Sequence, residues 1–223
     1  MPKLAAGGVQ RSPSLALQAH AALLELITGG QIQPGERVVI ERLAEQLGVS
    51  QTPVREAVAR LAQEGLVVEA ANGRLQIVEI SEQYVRDVFL VRAALEGLAA
   101  ELATSRLSDE DLATLKALLD ETSAALTLGD HKPYARSDAS LHQLVITRTN
   151  NRVLAKELRS LQPHVDLIRG YSQRTEGEHL RTSHQEHLQI VAALTARDGA
   201  RAREAMEQHI RRAGERIIQL IDF

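Results

Sequence analysis

The sequence predicts a mainly α-helical protein with two domains: a small domain with a β-hairpin in residues 1–80, and an all-α bundle of about six helices in residues 81–223. Three observations favour this fold class. The chain has 223 residues, more than most single domains. Aromatic residues are only 2% of the sequence, so the core must consist of Leu, Ile, Val and Ala, which helices pack most easily. Short β-branched runs and turn signals are concentrated before residue 80, and the later segments have helical periodicity.

Composition and charge narrow the possible functions. The absence of cysteine excludes disulfides, thiolate zinc sites and cysteine nucleophiles, so a metal ion would need His, Asp or Glu ligands. The net charge is −3, with 7 Lys+Arg against 8 Asp+Glu before residue 80 and 19 against 21 after it. Overall charge therefore gives no argument for nucleic-acid binding. Polar residues interrupt the apolar stretch from Leu15 to Ile27, so we expect no signal peptide, no membrane span and a cytoplasmic location.

The first predicted elements are a helix, a short strand and a second helix. Apolar residues recur at helical spacing from Ser14 to Thr28, and two glycines follow directly. The β-branched run Val38–Ile40 predicts a brief strand. Residues 41–47 predict a short helix, which Gly48 ends.

A third helix follows after a short turn. Thr52 followed by Pro53 is typical of an N-cap with proline in the first turn, and it predicts a helix that reaches about Glu64. Two helices joined by such a turn form a helix-turn-helix, the first part of the small domain.

A hairpin completes this domain. Apolar runs at residues 66–68 and 75–78 lie on either side of Asn72 and Gly73. The Asn-Gly pair predicts a type I′ turn, because both central residues of that turn need a positive φ. The order helix, strand, helix, turn, helix, hairpin predicts a winged helix-turn-helix.

Only helices are predicted beyond residue 80. Ser108 with Asp111 three residues later predicts a capping box, and Gly129 and Gly199 mark breaks between helices. The expected helices span about 81–104, 108–128, 131–149, 151–174, 177–196 and 199–221.

A resemblance to a known family lies between Glu41 and Val67, where the chain reads ERLAEQLGVSQTPVREAVARLAQEGLV. This segment resembles the DNA-binding domain of GntR-type bacterial transcription regulators, and the match extends over about residues 14–80. The resemblance implies binding to double-stranded DNA, with Arg42 as a second reading arginine and with Asn72 and Gly73 in the wing.

The chemistry of the third helix supports DNA binding independently. On a helix over residues 52–64, the inward positions are Val54, Ala57, Val58 and Leu61, and the outward positions are Gln51, Arg55, Ala59 and Arg60. Arg55 can bind guanine through two hydrogen bonds, Gln51 can pair with adenine, and Thr52 can donate to phosphate. Arg55 and Arg60 could instead simply solvate an exposed helix, but the motif around them favours DNA binding.

A second resemblance covers the rest of the chain. The residues that carry it are Val91, Arg92, Leu95, Glu96, Gly129, Asp130, Asp138, Leu141, His142, Asn151, Glu186, His187, Met206 and His209. They look like the all-helical effector-binding domain, the FCD domain, of the FadR-like subfamily. The two resemblances together cover nearly the whole chain.

Four residues of the second domain form a candidate metal site. Asp138 and His142 are four residues apart, so they point from one face of a helix, and His187 and His209 fall on two later helices. One carboxylate and three imidazoles suit Zn, Ni or Mn and leave coordination positions free. The metal-binding version of the family domain implies the same four residues. His184 remains a competing ligand, and any lone histidine could simply cap or solvate a helix.

Arg92 and Ser183 are candidate effector-binding residues. Arg92 could face the pocket and hold an anion, or it could form an exposed helical ion pair with Glu96. Ser183 lies one turn before His187 and could offer its hydroxyl to the same pocket. A divalent ion held by one carboxylate and three neutral imidazoles keeps about one positive charge, so we expect a small organic acid as the effector.

These features predict a ligand-responsive transcription regulator, acting as a repressor, that binds a palindromic operator of a metabolic operon as a homodimer. The alternative is a metal-dependent hydrolase with its active site in the helical bundle. That alternative lacks a catalytic motif such as HExxH and leaves the first domain without a role. The sequence therefore predicts that the protein is not an enzyme.

Overall fold

The computed structural model describes residues 14–172 and 177–221, with the backbone alone at residues 177–178. These residues form nine α-helices and one two-stranded antiparallel sheet, which confirms the predicted fold class. The chain divides into two compact units, with the boundary between Glu79 and Ile80. Two predictions fall partly outside the described residues: the absence of a signal peptide, at residues 1–13, and the end of one helix, at residues 173–174.

The elements are numbered in chain order. The first unit contains α1 (Leu15–Thr28), α2 (Ile40–Leu47), α3 (Gln51–Gln63), β1 (Val67–Glu69) and β2 (Leu75–Ile77). The second unit contains α4 (Glu82–Thr104), α5 (Asp109–Thr127), α6 (Lys132–Arg148), α7 (Arg152–Tyr171), α8 (Gly177–Thr195) and α9 (Gly199–Leu220). Among the helices that the structure describes, none is long and apolar enough to cross a membrane.

The helix-turn-helix consists of α2, a short turn and α3. Gly48 ends α2 in the left-handed conformation, with a φ of 66°, which side chains rarely adopt. The four inward residues predicted for α3 are buried, and α3 packs against both α1 and α2. The opposite face of α3 is exposed.

The start of α3 differs from the prediction. The helix begins at Gln51 after Ser50, so Thr52 lies in the first turn and not at the N-cap. Pro53 is tolerated there because the first N–H groups of a helix have no intrahelical partner. The threonine-proline pair therefore marked the first turn correctly but placed the cap two residues too late.

The turn of the wing also differs from the prediction. Gly73 has a φ of 73°, but Asn72 is not among the described residues with positive φ, so the predicted type I′ turn is wrong. Instead, the N–H of Gly73 donates to the carbonyl of Ala70 at 2.8 Å, and a single left-handed residue closes a longer loop.

The strand predicted at Val38–Ile40 is not a regular strand. The N–H of Val38 donates to the carbonyl of Leu75 at 2.9 Å, but Arg37 and Gln76 form only an isolated bridge, and α2 already begins at Ile40. The β-branched run is half-buried at the edge of the wing, and it is too short for a ladder before the next helix begins.

In the second unit, α4 packs against α6, α7, α8 and α9, and its most extensive contact is with α9. A glycine permits this close approach, because a Cβ at Gly214 would lie 2.9 Å from the Cβ of Phe89. The predicted capping box of Ser108 and Asp111 is present at the start of α5. Aliphatic side chains fill the core as the composition predicted, and a group of buried polar residues lies within it.

Candidate functional site

The exposed face of α3 carries most of the residues predicted to read DNA. Gln51, Thr52, Arg55 and Arg60 are all exposed. The Nη2 of Arg55 donates to the Oε1 of Gln51 at 3.0 Å, so the two predicted base-reading side chains lie together. Both belong to the first two turns of α3, the part of a recognition helix whose side chains reach base edges.

Each predicted DNA-binding arginine lies near a carboxylate. The pairs are Arg42 with Glu36, Arg55 with Glu41 at 3.9 Å, and Arg60 with Glu64 at 3.2 Å. The three arginine side chains are nevertheless 54%, 62% and 53% exposed. Because exposed pairs contribute only about 0 to 1 kcal/mol, these arginines can exchange a carboxylate for DNA at little cost.

The wing presents its tip to solvent. Asn72 and Gly73 are both exposed, and the Oδ1 of Asn72 accepts a hydrogen bond from the N–H of Arg74 at 3.0 Å. The asparagine side chain therefore shapes the loop, and the adjacent Arg74, also exposed, adds a positive charge at the tip.

The four side chains predicted to bind metal lie together in the second unit. Asp138 and His142 come from α6, His187 comes from α8 and His209 comes from α9. One potential ligand atom from each lies within 4.8 Å of the others, and all four residues are buried. The Oδ1 of Asp138 is 3.5 Å from the Nε2 of His142 and 3.4 Å from that of His187. The Nε2 atoms of His187 and His209 are 3.2 Å apart.

The protonation of three of the four residues, His187, His209 and Asp138, suits a divalent cation. Burial lowers the pKa of His187, and it lowers the pKa of His209 to about 3, so both imidazoles stay neutral and keep a lone pair for a metal ion. Burial opposes the charge of Asp138, but Arg169 and the neighbouring imidazoles hold its pKa well below its usual range. The Nε2 of His142 is buried and has no hydrogen-bond partner among the described residues. The four residues therefore could hold a metal ion.

Glu96 on α4 fixes the orientation of the His142 ring. It accepts a hydrogen bond from the Nδ1 of His142 and another from the Nε of Arg92 at 2.6 Å. Burial opposes the charge of Glu96, but Arg92 and then His142 lower its pKa. Burial also opposes a charge on His142, but Glu96 and Asp138 raise its pKa. A carboxylate on Nδ1 directs the Nε2 of a histidine toward a metal position.

Glu186 on α8 holds His209 in the same way. Its Oε2 accepts from the Nδ1 of His209 at 2.8 Å, and its two oxygens accept from the two Nη atoms of Arg216 at 3.0 and 2.9 Å. Burial opposes the ionisation of Glu186, but His209 and Arg216 lower its pKa to about 2. Two of the three imidazoles therefore have their orientation fixed by an ionised carboxylate.

A cavity of about 280 Å³ lies beside the cluster. The polar side chains in its wall are Tyr134, Asp138, Arg169, Ser172, His179, Ser183, His209 and Arg216. The hydroxyl of Tyr134 donates to the Oγ of Ser183 at 2.7 Å, and the Nη1 of Arg169 donates to the Oδ2 of Asp138 at 3.2 Å. Two guanidinium groups and a potential metal position in one wall suit a small anion.

Of the two predicted effector residues, only Ser183 lies at this cavity. Arg92 is 4% exposed, is bonded to Glu96, and is not among the described residues that line the cavity. The predicted ion pair exists, but it is buried and not exposed. The competing ligand His184 shares a hydrogen bond of 2.6 Å with the Oγ of Ser123 and lies outside the four-residue group.

Sequence reasoning missed Arg169, Arg216 and Tyr134, and it gave Glu186 no role in the site. A signal existed for Arg216, which lies seven residues after His209 and therefore on the same face of a helix. Arg169 has no such signal, because its contact with α6 depends on how two helices pack.

Two family models match the chain. Residues 15–74 match the family described as bacterial regulatory proteins, gntR family, and residues 87–212 match the FCD domain. The two matches correspond to the two compact units.

Similar proteins cover most of the chain. It is 29% identical to the HTH-type transcriptional regulator YdhC of Bacillus subtilis (strain 168), over 87% of this chain and 85% of YdhC. It is also 29% identical to McbR of Escherichia coli (strain K12), over 91% of this chain and 94% of McbR. The structure of E. coli McbR matches with a TM-score of 0.72 over 93% of this chain and 99% of McbR, at 27% identity. A third relative, the HTH-type transcriptional repressor GlaR of E. coli (strain K12), is 29% identical over 87% of this chain and 91% of GlaR.

Proposed function

Because the chain belongs to the GntR family of bacterial transcription regulators and carries an FCD domain, we propose that it is a ligand-responsive repressor of a metabolic operon. The family and its similar members are transcription regulators, and the protein is not an enzyme. The name of GlaR, a repressor, supports repression over activation. The protein acts in the cytoplasm, where the operator DNA of a bacterium is.

The first unit binds the operator. Arg55 and Gln51 read base edges in the major groove, Arg42 is a second reading arginine, and Thr52 and Arg60 contact the phosphate backbone. Asn72 and Gly73 at the tip of the wing add a contact. One α3 reads only a few base pairs, so the protein acts as a homodimer on a palindromic site. The exposure of these side chains on one face of α3 supports the assignment.

The second unit holds a divalent metal ion, Zn, Ni or Mn, through Asp138, His142, His187 and His209. The observation that carries this proposal is the convergence of one ligand atom from each residue within 4.8 Å, in a buried position beside a cavity. When bound, the ion supplies positive charge and a free coordination position for a ligand oxygen.

A small organic acid is the effector. Arg169 and Arg216 take the role expected of Arg92, because they line the cavity, and Ser183 with Tyr134 offers hydroxyl groups to the ligand. The three arginines Arg92, Arg169 and Arg216 balance the three carboxylates Asp138, Glu96 and Glu186. The charge of the ion is therefore left for a ligand to neutralise, and neutral sugars or lipids should bind poorly.

Two experiments test this function. Selection from random double-stranded DNA with the full-length protein should return a palindrome, and recovery of DNA without a two-fold repeat would contradict the homodimeric operator. Titration of the metal-loaded protein with a panel of organic acids should then identify a ligand whose affinity differs with and without that DNA, by about 1 to 3 kcal/mol. Equal affinities in the two titrations would contradict ligand-responsive regulation.

A further inference from the structure

Arg216 belongs both to the cavity and to the candidate metal centre. It lines the cavity, and both of its Nη atoms donate to Glu186, at 3.0 and 2.9 Å. Glu186 accepts from the Nδ1 of His209 at 2.8 Å, and the Nε2 of His209 lies in the cluster, 3.2 Å from that of His187. A continuous chain of polar contacts therefore leads from the cavity wall to a metal ligand.

We propose that Arg216 and Glu186 are positioning residues through which an anion in the cavity strengthens the hold of His209 on the metal ion. This inference rests on the proposed metal centre. An anion that binds Arg216 draws its positive charge away from Glu186. Glu186 then polarises the ring N–H of His209 more strongly, and the Nε2 of His209 becomes a better donor. By thermodynamic linkage, the metal ion raises the affinity for the anion by the same factor.

A second arginine lowers the energetic cost of this exchange of partners. A buried carboxylate that loses its cation is strongly destabilising. The Nη1 of Arg212 lies 3.6 Å from the Oε1 of Glu186, and the Arg212 side chain is 53% exposed. Arg212 is more distant and more exposed than Arg216, so it compensates the charge of Glu186 only in part when Arg216 turns to the anion. Glu186 is then not left without a cation, but it still polarises His209 more strongly than before.

The same chemistry occurs around His142 without access to the cavity. Arg92 and Glu96 are 4% and 2% exposed, and neither is among the described residues that line the cavity. They can orient His142, but an anion in the cavity does not reach Arg92. This second arginine–glutamate–histidine contact is therefore a control within the same protein.

Arg169 also lines the cavity, but it donates directly to Asp138 at 3.2 Å. An anion bound to Arg169 would act on the metal ion through Asp138. That effect cannot be separated from the effect of an anion oxygen that coordinates the ion directly. Arg216 acts through Glu186, so its influence can be removed without changing any of the four cluster residues.

The first test measures the zinc affinity of the full-length protein by competition with a chelator, with and without acetate at constant ionic strength. In the wild type, acetate should raise the zinc affinity about fivefold or more. The increase should be smaller in Arg216→Gln and Glu186→Gln. It should keep its wild-type size in Arg92→Gln and Glu96→Gln, although Glu96→Gln should lower the zinc affinity itself about 10- to 100-fold.

The second test measures acetate binding to the metal-free protein. Arg216→Gln should weaken acetate binding, whereas Glu186→Gln should strengthen it, because it releases Arg216 from its carboxylate. If Arg216 and Glu186 had only a structural role, both variants would change the acetate affinity in the same direction. The control is Arg211→Gln, an exposed arginine on the same helix and outside the cavity lining, which should behave as the wild type.

An acetate effect on zinc affinity that is as large in Glu186→Gln as in the wild type would overturn the inference and leave the metal centre standing. A wild type that binds no zinc would overturn the proposed centre and the inference together. If Glu186→Gln fails to fold, Arg216→Gln carries the test alone, because it removes the charge that the anion is proposed to draw away from Glu186. A full acetate effect on zinc affinity in Arg216→Gln would then overturn the inference.

Discussion

The exposed face of the first unit and the glutamates next to the histidine cluster of the second unit use arginine in opposite ways. In the first unit, Arg42, Arg55 and Arg60 are each more than half exposed, and each lies near a carboxylate that DNA can replace. In the second unit, the side chains of Arg92 and Arg216 are 5% and 15% exposed and hold buried glutamates. Exposed ion pairs contribute about 0 to 1 kcal/mol, whereas breaking a buried pair costs about 3 to 5 kcal/mol.

This difference corresponds to the ligands proposed for the two units. Operator DNA is large, and the protein must both bind it and dissociate from it. Exposed arginines suit this task because they can exchange a carboxylate partner for the DNA. A metal ion with a small anion needs ligands held in place before binding, and buried carboxylates behind His142 and His209 provide this. Variants at the buried groups of the second unit should therefore change metal binding or the free energy of unfolding more than variants at the exposed pairs of the first unit change DNA binding.

The largest effect is expected from removal of two of the proposed metal ligands. The double variant His142→Ala with His187→Ala should retain almost no metal, because half of the cluster is lost, whereas His184→Ala should retain a full equivalent. Metal content per chain after dialysis measures this. In the wild type, an ion at 100 times its dissociation constant adds about 2.7 kcal/mol to the free energy of unfolding, so a chelator should lower the melting temperature.

Stoichiometric metal in that double variant would refute the site. Loss of metal in His184→Ala would instead assign one ligand position to His184.

The next largest effect should come from breaking a buried ion pair. Glu96→Ala leaves Arg92 buried and uncompensated and should lower the free energy of unfolding of the metal-free second unit by about 3 to 5 kcal/mol. Tyrosine fluorescence during denaturation measures this selectively, because the chain has no tryptophan and its three tyrosines, Tyr84, Tyr134 and Tyr171, all lie in the second unit. The matched exposed variant Glu41→Ala should leave that transition unchanged. A loss below about 1 kcal/mol in Glu96→Ala would show that the pair behaves as an exposed one.

A smaller effect is expected at the DNA surface. Arg55→Ala should weaken operator binding by about 1 to 3 kcal/mol and relax the base preference at the position that Arg55 contacts, because a bidentate contact to guanine is lost. Binding to the selected operator and to single-base variants of it, at one salt concentration, measures both. Equal losses on the operator and on random DNA would show that Arg55 contacts phosphate only.

Local features of the fold could be predicted well from the sequence. The capping box of Ser108 and Asp111 and the left-handed Gly48 depend on a few neighbouring residues, and both are present. The turn at Asn72 was mispredicted, because the length of the hairpin loop depends on the register of the two strands and not on the Asn-Gly pair alone.

Residues of the candidate site could be predicted only where they lie one helical turn apart or belong to the family motif. The spacing of Asp138 and His142 placed both on one face of a helix, and the motif supplied His187 and His209. Arg169 reaches Asp138 across 31 residues through the packing of α6 and α7, which no local pattern encodes. Arg92 was assigned to the effector because an arginine next to a glutamate on a helix does not reveal which side of the bundle it faces.

The smallest expected effect concerns the carboxylates near the arginines that we propose to read the DNA. Glu41→Gln should tighten operator binding by at most about 1 kcal/mol, because the Oε1 of Glu41 lies 3.9 Å from the Nη2 of Arg55 in an exposed pair that DNA must displace. Glu45→Gln is the matched control, since it removes the same charge from an exposed position of the same helix, outside the ion pair with Arg55. If both variants tighten binding equally, the gain comes only from reduced repulsion of phosphate, and Glu41 has no special role. A double-mutant cycle with Arg55→Ala separates the two causes. The Glu41→Gln gain should disappear in the Arg55→Ala background, whereas a gain from general charge should persist there.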